Sequence, residues 1–166
     1  MKMKKIYSKL ITQGIVSSSI ESEYFEGSLN DFFKDIISNF YNLTFYDEYK
    51  NFEIPKEYIA FINETENNTV SLLGIDHHIY GLYQMISYTV NSMNCDGNRK
   101  KSPVFWLYIG HRNDKGYFFI CCDKESELYG QVAEFYDASP FMNEEYGYEM
   151  GNFPTFCNAV LQKGTS

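Results

Sequence analysis

The chain is short of positive charge, of cysteine and of long apolar runs, and each shortage excludes a class of protein. Fourteen lysines and arginines stand against 22 aspartates and glutamates, a net charge of −8 over 166 residues. Lys2, Lys4, Lys5 and Lys9 all fall in the first ten residues, so the remainder carries −12. Such a surface repels phosphate backbones and argues against sequence-independent nucleic-acid binding, while it attracts and steers a cationic protein. No stretch approaches the ~18 apolar residues of a membrane span. The lysine-led N-terminus does not read as a secretory signal either, because Lys9 and Gln13 interrupt its apolar part. The expected setting is the cytoplasm, where the four cysteines stay reduced and the Asn-x-Thr triplets at Asn42, Asn63 and Asn67 carry no glycan.

What the chain does have is aromatic surface. Fifteen Tyr, 14 Phe and one Trp make 18% of the residues, which excludes disorder over most of the length. A chain of this length fills one domain and buries about 68 to 70% of its unfolded surface, enough for a core without disulfide or metal staples. Neither an internal repeat nor a low-complexity linker divides it.

Apolar spacing then places the elements. Leu29, Phe32, Phe33, Ile36, Ile37, Phe40 and Tyr41 recur at helical intervals, and Ser28 with Asp31 supplies a cap and a first-turn acid, which predicts a helix over 28–42. Pro55 opens a second, short helix through Tyr58, Ile59 and Ile62. Ile79, Leu82, Tyr83, Ile86 and Val90 set a third. Asn152 caps a last one that buries Phe153, Phe156, Cys157, Val160 and Leu161 and closes at Gly164. Strands are predicted over 70–73, 104–109, 117–122 and 132–136. The second and third form a hairpin across Gly110 to Gly116 with Gly110 opposite Tyr117, and Glu134 makes one face of the fourth wet.

Three phrases carry a resemblance. Ile54-Pro55-Lys56-Glu57-Tyr58-Ile59-Ala60-Phe61-Ile62 is similar to an early Leu-Pro-x-x-Tyr-x-x-Phe-Leu helix. Ile109-Gly110 with Gly116-Tyr117-Phe118, then Gly130-Gln131-Val132-Ala133-Glu134-Phe135-Tyr136-Asp137, is similar to a set of central strands with a Gly-x-Val strand. Asn152-Phe153-Pro154-Thr155-Phe156 stands where a closing Ser-Phe-x-x-Phe helix belongs. In this order the phrases resemble the SUKH superfamily, which groups yeast Smi/Knr-type cell-wall regulators with bacterial toxin-immunity proteins, and they cover roughly residues 54 to 162. The chain departs from the pattern where a double glycine usually follows the Leu-Pro helix, since Asn63 to Asn68 stand there, and at Tyr117, where a polar residue is common.

The resulting expectation is one α+β domain over 28–166, with residues 1–27 as an N-terminal extension that either joins it or precedes it. Its sheet is mainly antiparallel and twisted, of about four to six strands covered by helices, the SUKH fold. The resemblance implies a binding module without a shared catalytic set, and fold alone does not identify the partner.

The residues themselves offer few chemical constellations. Cys121 or Cys122 with His111 would make a nucleophile and base, but the hairpin register puts His111 five residues along the strand from the partner of Cys121, about 17 Å away at ~3.3 Å per residue. The thiols read as buried packing. Asp76, His77, His78 and Cys95 form the best metal cluster, yet Cys-x-x-Cys and His-Glu-x-x-His spacings are absent and adjacent histidines point apart, so a solvated turn is expected. Gly-x-x-x-x-Gly-Lys is also absent, Glu144 with Glu145 and Asp47 with Glu48 read as solvated acids, and Arg99, Lys100 and Lys101 as a solvated loop. No catalytic residue, cofactor or metal is therefore assigned.

The segment 134–149 stands apart. Glu134, Asp137, Glu144, Glu145 and Glu149 give −5 with no lysine or arginine between them, and Tyr136, Phe141, Met142, Tyr146 and Tyr148 interleave anchor area. Either these ten residues form a partner surface or the loop folds its aromatics back onto the core. The first alternative gives the leading expectation: a non-enzymatic cytoplasmic immunity protein that neutralises a cationic bacterial toxin domain, with no nucleic acid and no membrane as partner. A signalling or cell-wall regulatory adaptor and a small-molecule enzyme are the rivals.

Overall fold

The computed structural model describes residues 3–17, 30–31, 33–35, 50–94, 104–113, 115–136 and 148–165. Along the chain run α1 (Met3–Gln13), β1 (Ile15–Ser17), α2 (Lys56–Glu64), β2 (Thr69–Leu72), a 3-10 turn (Leu73–Ile75) and β3 (His77–Ile79). There follow α3 (Leu82–Asn94), β4 (Trp106–Arg112), β5 (Gly116–Cys121), β6 (Gln131–Phe135), β7 (Tyr148–Asn152) and α4 (Phe153–Thr165). Each strand pairs antiparallel with the next in sequence, so the sheet is an open seven-stranded meander with helices, an α+β architecture.

Successive side chains alternate between the two faces. Phe118, Ile120 and Val132 point to the face covered by α1, α2 and α4, where Phe118 meets Phe156 at 4.7 Å between ring centres. The middle of that layer is aromatic: Tyr58, Phe61 and Phe153 lie within 5.1–6.1 Å of one another, and Tyr7 of α1 packs on Phe61 and Phe153. Tyr7 also donates a hydrogen bond to the Glu57 carbonyl (2.7 Å). With Tyr7 and Leu10 fully buried and β1 paired to β2, residues 3–17 are part of the folded unit and not a bare extension.

The opposite face carries Tyr108, Tyr117, Phe119 and Phe135. Beside it, α3 lies against β4 where β3 has ended, and the Tyr108 N–H donates to Thr89 Oγ1 (2.9 Å) instead of to a strand. Gly110 allows β3 and β4 to approach, since a Cβ there would come within 2.3 Å of the His78 carbonyl oxygen.

Of the expected helices, α2, α3 and α4 stand close to their predicted bounds. Asn152 Oδ1 accepts the Thr155 N–H (3.0 Å), which is the predicted cap. Ile79 is the exception in α3, because it belongs to β3. In the helix expected over 28–42, residues 30, 31 and 33–35 are helical, with Phe33 buried against Phe52 and Phe105; the rest lies outside the described residues.

The sheet differs more. β1, β3 and β7 were not predicted: the first two are only three residues long, and the third holds Glu149 and Gly151 and reads as loop. The hairpin is also tighter than expected, for β4 runs on to Arg112 and only Asn113 to Lys115 separate it from β5. Trp106 faces Cys121 as predicted, but a bulge at Ile109 shifts the register, so Gly110 faces Phe118 and His111 faces Tyr117.

Candidate functional site

The ten residues singled out between 134 and 149 divide into three groups. Asp137, Phe141, Met142, Glu144, Glu145 and Tyr146 lie outside the described residues. Tyr136, Tyr148 and Glu149 are exposed, the two tyrosines at 42% and 62%. They stand where β6 ends and β7 begins, at one end of the sheet. Glu134 is the correction: it is 3% exposed, so the expected wet face of its strand is sealed.

The cause is long-range. Glu134 pairs with Phe118, while Arg112 pairs with Gly116 two residues away on β5. Gly116 has no side chain to block the space between, so the guanidinium reaches over it and donates from Nε (2.9 Å) and Nη2 (2.7 Å) to Glu134 Oε1. A Cβ on Gly116 would sit 2.7 Å from that same oxygen. The carboxylate is therefore spent inside the fold, where the Glu134 hydrogen bonds hold the Arg112 pKa above its ordinary range.

The thiols are equally withdrawn. Cys121, Cys122 and Cys157 are buried, and burial raises the pKa of each, which suppresses the reactive thiolate. His111 lies opposite Tyr117, four residues from Cys121, about 13 Å at ~3.3 Å per residue.

The proposed metal cluster is dispersed in a different way. His77 and His78 lie on a strand and point to opposite faces, so the expected solvated turn is not what forms there. His77 is buried, with Nδ1–H donating to the Ile75 carbonyl (2.8 Å), and burial lowers its pKa. Cys95 lies outside the described residues, among which no three ligand side chains converge on a metal position.

A constellation that sequence reasoning missed is assembled around His78. Its Nδ1 lies 2.8 Å from Ser71 Oγ and its Nε2 2.8 Å from Asp76 Oδ1. The carboxylate can only accept, so Nε2 carries a proton, while the serine hydroxyl can serve Nδ1 as donor or acceptor. The His78 ring stacks on His111 at 4.4 Å, and His111 Nδ1 shares a hydrogen bond with the Tyr80 hydroxyl. The signal was the cross-strand pair Ser71 with His78, which exists only once the register of β2 on β3 is known.

A serine, histidine and aspartate in series invite comparison with acyl-transfer chemistry, which also needs donors aimed at a developing oxyanion. Here Ser71 sits inside a ladder. It pairs with Ile15 on one side and His78 on the other, so the amides beside it serve the sheet. Asp76 is about half exposed and occupies a left-handed position after the 3-10 turn. The arrangement fastens the β2–β3 hairpin to β4.

Comparison with protein-family models, curated proteins and solved structures finds no match for this chain. Among the described residues no helix is long and apolar enough to cross a membrane.

Proposed function

We propose that this chain is a non-enzymatic protein-binding module of the SUKH type, a cytoplasmic immunity protein that binds a cationic bacterial toxin domain and neutralises it. The observation that carries the reading is the exposure of Tyr136, Tyr148 and Glu149 where β6 ends and β7 begins, in a chain whose net charge is −8. Charge of one sign speeds encounter with a basic partner, and exposed tyrosine supplies contact area once it arrives. The burial of all three described thiols supports binding over nucleophilic chemistry.

A local detail supports the family assignment. After α2 the backbone turns left-handed at Glu66 (φ 50°) and Asn67 (φ 69°), positions within the stretch where the family pattern has its double glycine. Two residues in a conformation that favours glycine are what a diverged copy of such a turn would retain.

The test is affinity purification of the tagged chain from its host at low and high salt. A single stoichiometric basic protein, released by salt and toxic when expressed alone, is the expected result. Many substoichiometric partners would favour an adaptor instead. With the partner in hand, replacing Glu144, Glu145 and Glu149 by Lys slows association markedly and leaves the melting temperature nearly unchanged; unaltered association kinetics would refute the surface.

A further inference from the structure

From His77 to Cys95 the chain holds 19 consecutive residues without a single Asp, Glu, Lys or Arg. Most of them form α3, whose outward side presents Ser87, Tyr88 and Asn91 exposed and Gln84 half-buried. A solvent-facing helix side ordinarily carries charge. Depletion of charge with tyrosine retained is instead a mark of protein contact surfaces.

Tyr88 is the residue this surface is built around. It is 40% exposed, and its ring stacks on buried Tyr80 at 4.8 Å and 13°. Tyr80 is itself fixed, since its carbonyl accepts from Tyr58 (2.8 Å) and its hydroxyl meets His111. Tyr108 closes a second side at 5.5 Å. A ring already held in place loses little freedom when a partner covers it. Among the described residues, no cation stacks on it.

Tyr108 also begins a row of directly paired residues that crosses the sheet through Phe119 and Ala133 to Glu149. Directly paired residues share a face, so exposed Glu149 edges the same face three strand spacings away, about 14 Å at ~4.8 Å each.

We propose that Tyr88, backed by Tyr80 and Tyr108, is the anchor on which an arginine side chain of the cationic protein partner stacks, with Glu149 receiving a second basic group on the same sheet face. This rests on the protein-binding reading above. Arginine is favoured over lysine because its planar, weakly hydrated guanidinium stacks on an aromatic face and also pairs with a carboxylate.

The test titrates the full chain with an alternating arginine–glycine octapeptide and with its lysine counterpart, following the tyrosine ring resonances by NMR. The arginine peptide is expected to shift the Tyr88 ring signals and to bind more tightly than the lysine peptide. Tyr88→Ala weakens it about three- to fivefold, the range of an exposed cation–π contact, while Tyr88→Phe preserves it. Equal binding of the two peptides, or shifts that spare Tyr88, would overturn the proposal. Dissociation of the natural partner separates the two levels of inference. A complex retained by the wild type and lost several-fold faster from Tyr88→Ala supports the anchor. A complex lost at the same rate overturns the anchor alone, and the absence of any retained partner overturns both readings.

Discussion

The Arg112–Glu134 pair gives an asymmetric and therefore demanding test. Glu134 is 3% exposed, whereas the Arg112 side chain is 28% exposed. Removing the cation strands a buried carboxylate, and breaking a buried pair in this way costs about 3–5 kcal/mol. Water reaches the arginine side, so the lower end, about 3 kcal/mol, is expected for Arg112→Met. Glu134→Gln leaves an acceptor of the same shape and a guanidinium that water can solvate, and costs about 1 kcal/mol. Replacing both residues by methionine restores much of the loss, since an apolar pair of similar volume suffers no desolvation penalty. For a domain of this size about 1 kcal/mol moves the melting temperature by 2–4 °C, so Arg112→Met lowers it by about 6–12 °C. Urea unfolding of Arg112→Met, Glu134→Met and the double methionine variant measures the cycle, with Glu134→Gln beside them. Equal losses for Arg112→Met and Glu134→Gln, within about 0.5 kcal/mol, would refute the claim that the carboxylate is the buried partner.

Three further outcomes follow from the same geometry. Gly116→Ala forces a methyl group against Glu134 Oε1 and Arg112, displaces the pair, and destabilises by about 1–3 kcal/mol in urea unfolding; a neutral result would mean the pair does not cross at Gly116. Glu66 occupies the left-handed position of a helix-terminating motif in which Asn67 N–H bonds the Ile62 carbonyl (2.9 Å) and Glu66 N–H the Asn63 carbonyl (3.2 Å), so Glu66→Gly should raise stability by up to about 1 kcal/mol, and a lower midpoint would contradict it. His77, whose surroundings include Arg112, Lys163 and Glu134, has its folded pKa lowered from the ordinary 6.5. The unfolded chain therefore takes up the proton first, and this contribution to stability falls as the pH drops below about 6.5. His77→Asn keeps a donor for the Ile75 carbonyl and flattens the change between mildly acidic and neutral pH; an unchanged slope would assign the pH dependence elsewhere.

Helices were legible because their information is local. The spacing of Tyr58, Phe61 and Ile62, and the cap at Asn152, are properties of neighbours within two turns, and both elements formed where expected. Strands of three residues have no such period. β1 and β3 exist because β2 and β4 offer them open edges, and β7 because β6 does; none of these conditions can be read from the segment itself. The bulge at Ile109 shows the limit within a well-predicted hairpin, since one extra residue moved His111 from the partner of Gly116 to the partner of Tyr117.

Surface charge failed for the same physical reason, and the failure bears on function. Glu134 looked like one acid of an uninterrupted acidic run because Arg112 lies 22 residues earlier in the chain and two strands away. Once it is removed from the run, Glu149 is the described acid that remains on the surface, and it edges the sheet face where Tyr88 stands. Charge and anchor then make separable contributions. Reversing Glu149 changes the field a basic partner meets at a distance, so it acts on the association rate and on its salt dependence. Truncating Tyr88 changes nothing until contact, so it acts on dissociation. A partner whose two rate constants respond in this divided way is bound on this face of the sheet; one that responds only to the charges is bound at its β6–β7 end.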